Sequence, residues 1–502
     1  MKKYIFILLI LSAAAAFFLP FQFLLNFAHD DSFFYIKTAN NLSKGFGSTF
    51  DGVNITNGYH PLYFISLVIL FAVPNFLASA SPEFLYRLVF LYHEVLLLFS
   101  FVFLLKSLKL VLKEKYGSTL ILLIIIMLAA LVFIRDYGLE SHLACLIISY
   151  FLFLKAKETE NGRSNPVDKS VLLSLLFLTR TDFLISVIPL VLIADIFTGK
   201  EKLKHIITSF IFINITALIY YLTNYYFFGH FATVSGMLLN AFPVVLLKEN
   251  INILITDPAK LYNQFARIIF FMISIILFTV FYTRNKAKTE AEKKFFGVIL
   301  GFGAGSFLFV LYHLIFNTYS IREWYMTVPV FISSVMAALM AGGRKITAYI
   351  TLLLSLIVLI YVFTGSRIAN YKYVSGYEYA KAIEKIVGAD ERVYQVDYCG
   401  VTGFFSNRNI INGDGLINSF EYSGYMKNGK IDEYLKKYDV KYYSTYSSES
   451  LLKDSVYTDK TFSDKINGKI FIFDKSSLAL EMPFRWSHIA FGLDGKWYLF
   501  KF

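Results

Sequence analysis

The sequence predicts a polytopic α-helical membrane protein of about eleven transmembrane helices with a C-terminal soluble α/β domain. Three observations predict it. The chain of 502 residues is 56% hydrophobic and 17% charged, with a mean hydropathy of +0.56, beyond the range of soluble domains. Its lysines fall in short clusters between apolar runs, so the formal charge of +12 reads as membrane topology rather than affinity for nucleic acid. From about residue 367 the composition turns mixed and polar over one ordinary domain length.

The first apolar segment follows Lys2-Lys3 and runs past its alanines as FFLPFQFLL. It is longer than a signal-peptide core, which favours a retained anchor with a cytoplasmic N-terminus. Further spans are expected at 84–105, 118–134, 143–154, 171–197, 206–228, 266–282, 296–316, 324–340 and 346–363. The lysine-rich connectors 106–115, 155–169, 200–204, 284–294 and Arg344-Lys345 belong in the cytoplasm by the positive-inside rule. Two segments are then constrained. With one connector outside and the next inside, 61–77 must lie along or dip into the outer face. The stretch 171–197 begins and ends beside cytoplasmic lysines, so it reads as a hairpin with Thr179-Arg180-Thr181-Asp182 at its tip.

This topology collects the polar outliers on one face: His29-Asp30-Asp31, His60, the loop RDYGLESH (135–142), the Arg180-Thr181-Asp182 tip, the connector 229–263 and NTYSIREWY (317–325). The membrane module spans 1–366, with its first external loop at 26–83. The tail, 367–502, reads as helix GYEYAKAIEKIV, strand RVYQV, helix IDEYLKKY and strands VKYYSTY and KIFIFD. CGVTGFFS lacks the glycine spacing of a dinucleotide fingerprint. With only two cysteines, neither a disulfide framework nor a thiolate metal site can be built.

In the first loop, Ile36, Ala39 and Leu42 recur at helical spacing until Gly45. A short interfacial helix is expected, its apolar face toward lipid or the bundle. The plain role for Asp30 and Asp31 is that one caps this helix and the other is solvated. The chemical role is that a carboxylate deprotonates an acceptor hydroxyl attacking an anomeric carbon, while a second acid stabilises charge on the ring. A phosphate leaving group needs cations where water is excluded, and Lys37, Arg87, Arg135, Arg180 and Arg322 are available, with His60 as a further donor. Lys37 and Arg87 could equally snorkel toward headgroups. Arg180 and Asp182 could form a structural pair. Glu140 could simply complement the start of the following helix. Glu140, His142, His60 and Asp30 could also hold a divalent cation, but no spaced metal motif supports it and the reading requires no cofactor.

These residues resemble the GT-C membrane glycosyltransferases of the glycosyltransferase family 39-like kind, which include protein O-mannosyltransferases and aminoarabinose transferases. The resemblance rests on Asp30-Asp31 after the first span, FYIKTANNLSKGFG, FDGVNITNGYHPLY with its His60-Pro61-Leu62, Arg87 in YRLVF, YGLES (137–141), LTRTD and FFSNRNIINGDGLINSFEY in the tail. It implies a GT-C-like fold and an inverting transferase that takes a sugar from a polyprenyl phosphate at the outer face of a bacterial cytoplasmic membrane. The acceptor would be a glycolipid, glycan or protein. On this resemblance Asp30 is the catalytic residue of the Asp30-Asp31 pair, Glu140 is a second acidic site, and Arg87 and His60 serve donor phosphate or loop architecture; Lys37, Tyr59, Arg180, Asp182 and Arg322 are the further candidates for donor phosphate or substrate. Two other classes compete: a flippase for lipid-linked glycan, and a non-catalytic envelope scaffold. The charges gather toward one face and no internal repeat is evident, which disfavours a transporter.

Overall fold

Long apolar stretches must satisfy their own backbone hydrogen bonds, and the helix is the element that does so within a single segment. The computed structural model describes residues 2–77, 80–113, 117, 136–162, 165–198, 202–257, 260–284, 289–341, 371–453, 455–486 and 493–502. The N-terminal bundle contains α1 (Lys2–Phe18), α2 (Asp30–Ser43), α3 (Pro61–Leu77), α4 (Pro82–Leu112), α5 (Ser141–Asn161) and α6 (Pro166–Thr179). It continues through α7 (Val187–Thr198), α8 (Lys202–Phe228), α9 (Ala266–Arg284), α10 (Glu290–Phe316) and α11 (Thr327–Ala341). Helix starts are set locally. The Ser81 hydroxyl accepts from the Phe84 amide ahead of Pro82, Asn165 does the same for Val167 ahead of Pro166, and Thr289 with Glu292 closes a reciprocal capping box.

Among the described residues, five helices are long and apolar enough to cross a membrane: Pro82–Leu112, Lys202–Phe228, Ala266–Arg284, Glu290–Phe316 and Glu323–Met340. Ile5–Phe18, Pro61–Leu77 and Val187–Phe197 are shorter apolar helices. The expected spans 118–134 and 346–363, together with Arg135, Arg344-Lys345 and the boundary at 366–367, lie outside the described residues.

The stretch 171–197 folds as a hairpin. Lys169 near the start of α6 lies 2.6 Å from Asp195 near the end of α7, so the two helices run back to back. The short 3-10 turn Thr181–Leu184 closes the far end. Glycines let α10 approach α7 closely: a Cβ at Gly305 would lie 2.6 Å from the Val187 Cα, and one at Gly301 2.6 Å from the Ala194 Cβ. Lys155 and Lys169, buried with Asp195 and His205 and paired with the half-buried Glu158, tie the other end of the bundle together.

The tail begins with α12 (Tyr371–Ile386) and contains β1 (Arg392–Gln395), α13 (Cys399–Phe405), β2 (Asn409–Asn412), α14 (Phe420–Lys427), α15 (Ile431–Lys437) and β3 (Val440–Ser447). The strands β4 (Leu452–Lys453), β5 (Val456–Asp459), β6 (Phe471–Asp474), β7 (Leu478–Trp486) and β8 (Leu493–Lys501) follow. A five-stranded sheet has the order β2-β1-β3-β8-β7, parallel through β2, β1 and β3 and antiparallel beyond. Strands β4 to β6 make a small antiparallel sheet. The stacked pair Tyr379 and Trp497, 4.6 Å between centroids, joins α12 to the sheet.

Helix α2 turns its apolar face to the bundle, one of the two surroundings expected, with Phe33, Tyr35, Ile36 and Ala39 packed among Tyr63, Leu67, Tyr86 and Val89. It is also buried on its other side: Phe34, Thr38, Asn40 and Asn41 are buried as well, because the tail covers the side that the bundle leaves open. Phe33 packs against Phe404 and Phe405 of α13, and Phe34 against Phe50.

Candidate active site

The loop between α1 and α4 is held by its own side chains. Asp51 accepts from the amides of Val53 and Asn54, and Asn41 donates to the carbonyls of Thr49 and Phe50. Asn57 reaches across to the connector after α8, accepting from the Val234 amide at 3.0 Å. Residue His29, not an aspartate, occupies the N-cap of α2, with Ser32 accepting from its backbone N–H. Both aspartates therefore stand in the first helical turn with their carboxylates free for other partners.

Those partners differ. The Asp30 carboxylate is buried against the tail, where it accepts from the Val401 amide at 2.8 Å and the Gly400 amide at 3.1 Å. Asp31 instead lines a cavity of about 360 Å³ whose walls include Tyr35, His60, Glu140, Arg180, Asp182, His313, Arg322 and Trp324. Its carboxylate is half buried and has no hydrogen bond or ion pair among the described residues. Burial raises its pKa above the usual aspartate value, opposed by the charges of Arg322 and His29.

Glu140 and Asp182 also line the cavity, but both are engaged. Arg180 Nη1 lies 2.6 Å from Glu140 Oε1, while its Nε and Nη2 reach the two Asp182 oxygens at 3.1 and 2.7 Å. The guanidinium also lies 4.5 Å from the centroid of the Tyr325 ring, stacked as a delocalised cation can be. His313 Nε2 is 3.0 Å from Asp182 Oδ2. Burial opposes ionisation of Asp182, yet Arg180 and His313 outweigh it and hold the carboxyl well below its usual pKa. His60 completes this wall: its backbone N–H donates to the Tyr35 hydroxyl at 3.0 Å, and its Nε2 lies 4.0 Å from Glu140. Arg322 is the cavity's other guanidinium. Among the described residues it forms no ion pair within 4 Å and rests 5.6 Å from the centroid of the Tyr319 ring.

Four of the expected residues stand away from this cavity. Arg87 donates to the carbonyls of Ala16 and Leu19 at 2.7 and 3.1 Å, satisfying the end of α1. Tyr59 shares a hydrogen bond with Ser48 and stacks on Phe64. Lys37 lies further along α2, its pKa lowered to about 8 by burial and the nearby Lys44. Asp30 is the fourth. The four side chains weighed for a cation do not converge: Asp30 turns to the tail and His142 pairs with His93, Nδ1 to Nδ1 at 2.8 Å. No group of three His, Cys, Asp or Glu among the described residues could hold a metal ion.

Sequence reasoning passed over His313, Tyr220 and Tyr221, which also line the cavity. The signal for His313 was present: a titratable side chain four residues before Asn317, near the end of an apolar run, where intramembrane polarity marks function.

No protein-family model and no curated protein sequence matches the chain. Its structure is similar to that of an oligosaccharyltransferase from Archaeoglobus fulgidus, solved in complex with Zn and sulfate, with a TM-score of 0.53 and 12% sequence identity. The match covers 87% of this chain and 67% of that one. That likeness gives the chain the GT-C fold, as the resemblance of its motifs led one to expect.

Proposed function

We propose that the chain is an inverting glycosyltransferase that moves a sugar from a polyprenyl-phosphate donor to a cell-envelope acceptor, with Asp31 as the base. The observation that carries this reading is the state of Asp31: a half-buried carboxylate, free of partners among the described residues, at a cavity wall it shares with Arg322. A carboxylate whose pKa is raised is a stronger proton acceptor while it remains ionised. It takes the proton of the acceptor hydroxyl as that oxygen attacks the anomeric carbon. The bond to the phosphate oxygen breaks on the opposite side, and the polyprenyl phosphate leaves with the electron pair. Arg322, not already neutralised by a carboxylate, receives the growing negative charge. The Glu140–Arg180–Asp182–His313 network also lines the cavity, and its acids are too tightly paired to act as bases.

A lipid-borne donor suits the surroundings. Helix α8 lends Tyr220 and Tyr221 to the cavity while Leu218, Ile219, Leu222 and Tyr226 stand exposed on its outer faces, as they would against acyl chains. We place the cavity at the outer face of a bacterial cytoplasmic membrane, the N-terminus in the cytoplasm and the tail outside, with about eleven crossings in all. The acceptor is a glycolipid, glycan or protein.

The reading is tested with purified protein in lipid vesicles given a radiolabelled polyprenyl-phosphate sugar and extracts of envelope acceptor. Sugar transfer is expected, with the product's anomeric configuration inverted relative to the donor. A product of retained configuration would exclude the single displacement described here, and unreacted donor would exclude the enzyme.

A further inference from the structure

Two consecutive residues of a helix project about 100° apart, and here Asp31 lines the cavity while Asp30 turns to the tail. Asp30 is 9% exposed and has no ion-pair partner among the described residues. Its two oxygens accept from two amides of the tail, those of Gly400 and Val401, which oppose the upward push of burial on the carboxyl's pKa. A buried carboxylate deprived of such partners is costly, so this contact holds only while the tail is seated.

The fit around it is tight. A Cβ at Gly400 would lie 2.2 Å from the Asp30 carbonyl oxygen, and a Cβ at Gly58 would lie 2.0 Å from the carbonyl oxygen of Leu416. Leu416 is itself part of the cavity wall, so the two close approaches bracket the segment that carries Asp31. Rings interlock beside the carboxylate, with Phe405 centred 5.2 Å from Phe33 and 5.7 Å from Phe21. At the rim Lys381 lies 3.1 Å from Glu83, and the Tyr377 hydroxyl donates to the same carboxylate at 3.1 Å.

We propose that Asp30 is a positioning residue: its carboxylate latches the C-terminal domain onto the first loop, and the latched tail fixes the helical turn that presents Asp31 to the cavity. The inference rests on the reading of Asp31 as the base. It divides the acidic pair into one residue that holds the tail and one that meets the substrate, and it makes the tail a wall of the reaction chamber. Asp397 and Lys465, paired at 2.7 Å on the tail, act on Asp31 through space in this arrangement.

The test compares the full-length wild type with Asp30→Asn, Asp30→Ala, Gly400→Ala and Asp31→Asn in lipid nanodiscs. Two readouts are taken: hydrogen exchange at the Gly400 and Val401 amides, and steady-state turnover of a polyprenyl-phosphate sugar. Asp30→Ala and Gly400→Ala are expected to speed exchange at those amides about tenfold or more, the scale of a lost hydrogen bond. They should lower kcat while leaving the donor KM in place. Asp30→Asn keeps an oxygen that can accept one amide, so it should recover much of both. If Asp30→Asn is as inactive as Asp31→Asn while exchange stays at the wild-type rate, Asp30 acts on substrate and the latch is wrong. If Asp30→Ala leaves exchange and turnover unchanged, there is no latch. If Asp31→Asn turns over normally while exchange responds as described, the assignment of the base fails and the docking contact stands.

Discussion

At the scale of single residues, the acidic pair shows how far a sequence carries an argument about chemistry. Asp30-Asp31 is conspicuous behind an apolar segment, and the sequence places it correctly at the start of a short helix. Which of the two faces the cavity depends on Gly400 and Val401, some 370 positions away along the chain, and no local pattern encodes that contact. Arg180 was legible as an intramembrane charge, and Asp182 as its neighbour, but the third partner Glu140 comes from another loop. Removing Arg180 strips the buried Glu140 of its guanidinium and leaves Asp182 with His313 alone, so Arg180→Ala is expected to cost about 3–5 kcal/mol, read as a lower unfolding temperature in detergent. The pH profile tests Asp31. The base must be ionised, and burial has raised its pKa, so kcat should fall on acidification at a pH above the ordinary aspartate range. Arg322 pulls that pKa down. In Arg322→Ala the acid limb should therefore move to still higher pH; an unmoved limb would mean that another group is titrating.

At the scale of elements, periodicity and composition were sufficient where an element answers to its own residues. The hairpin at 171–197, the helices GYEYAKAIEKIV and IDEYLKKY and the strands RVYQV, VKYYSTY and KIFIFD all fold as read. Strand β7 was not among the strands read from the sequence, and it carries Pro483, a residue that argues against a strand. It is tolerated there because β7 is the edge of the sheet. Helix α2 was expected at an interface, since its pattern records an apolar face and not what covers it. Close backbone approaches are equally invisible in sequence. Gly138 has φ +94°, and a Cβ there would lie 2.5 Å from the Cβ of Ser32 in the first turn of α2. Gly138→Ala combines strain at positive φ with this clash. It should displace that turn and lower transfer at least about tenfold, with a stability loss of about 1–3 kcal/mol. Transfer at the wild-type rate would show that the turn tolerates displacement.

At the scale of the whole molecule, the proposed topology brings the first loop, the hairpin tip, the ends of α8 and α10 and the tail to one end of the bundle, with the Lys155–Lys169–Asp195 cluster at the other. Lysine asymmetry set only which connectors share a side; that several of the polar outliers on that side line one cavity did not follow from it. Both native cysteines are buried, so introduced ones can report orientation. A membrane-impermeant thiol reagent added to intact cells should label Ser448→Cys on the tail, and should label Lys157→Cys, at the end of α5, only after permeabilisation. Labelling in the reverse order would invert the topology and separate the cavity from the outer face.

The central claim is that Asp31 in the cavity is the base of a sugar transfer, and the most direct test is transfer by purified protein in lipid with Asp31→Asn set against Asp30→Asn at equal folded yield. Asp31→Asn is expected to lose about 10²–10⁴-fold in kcat, the range of a general base, with donor binding retained, while Asp30→Asn keeps measurable transfer. Normal turnover by Asp31→Asn, or inactivity confined to Asp30→Asn, would contradict the claim.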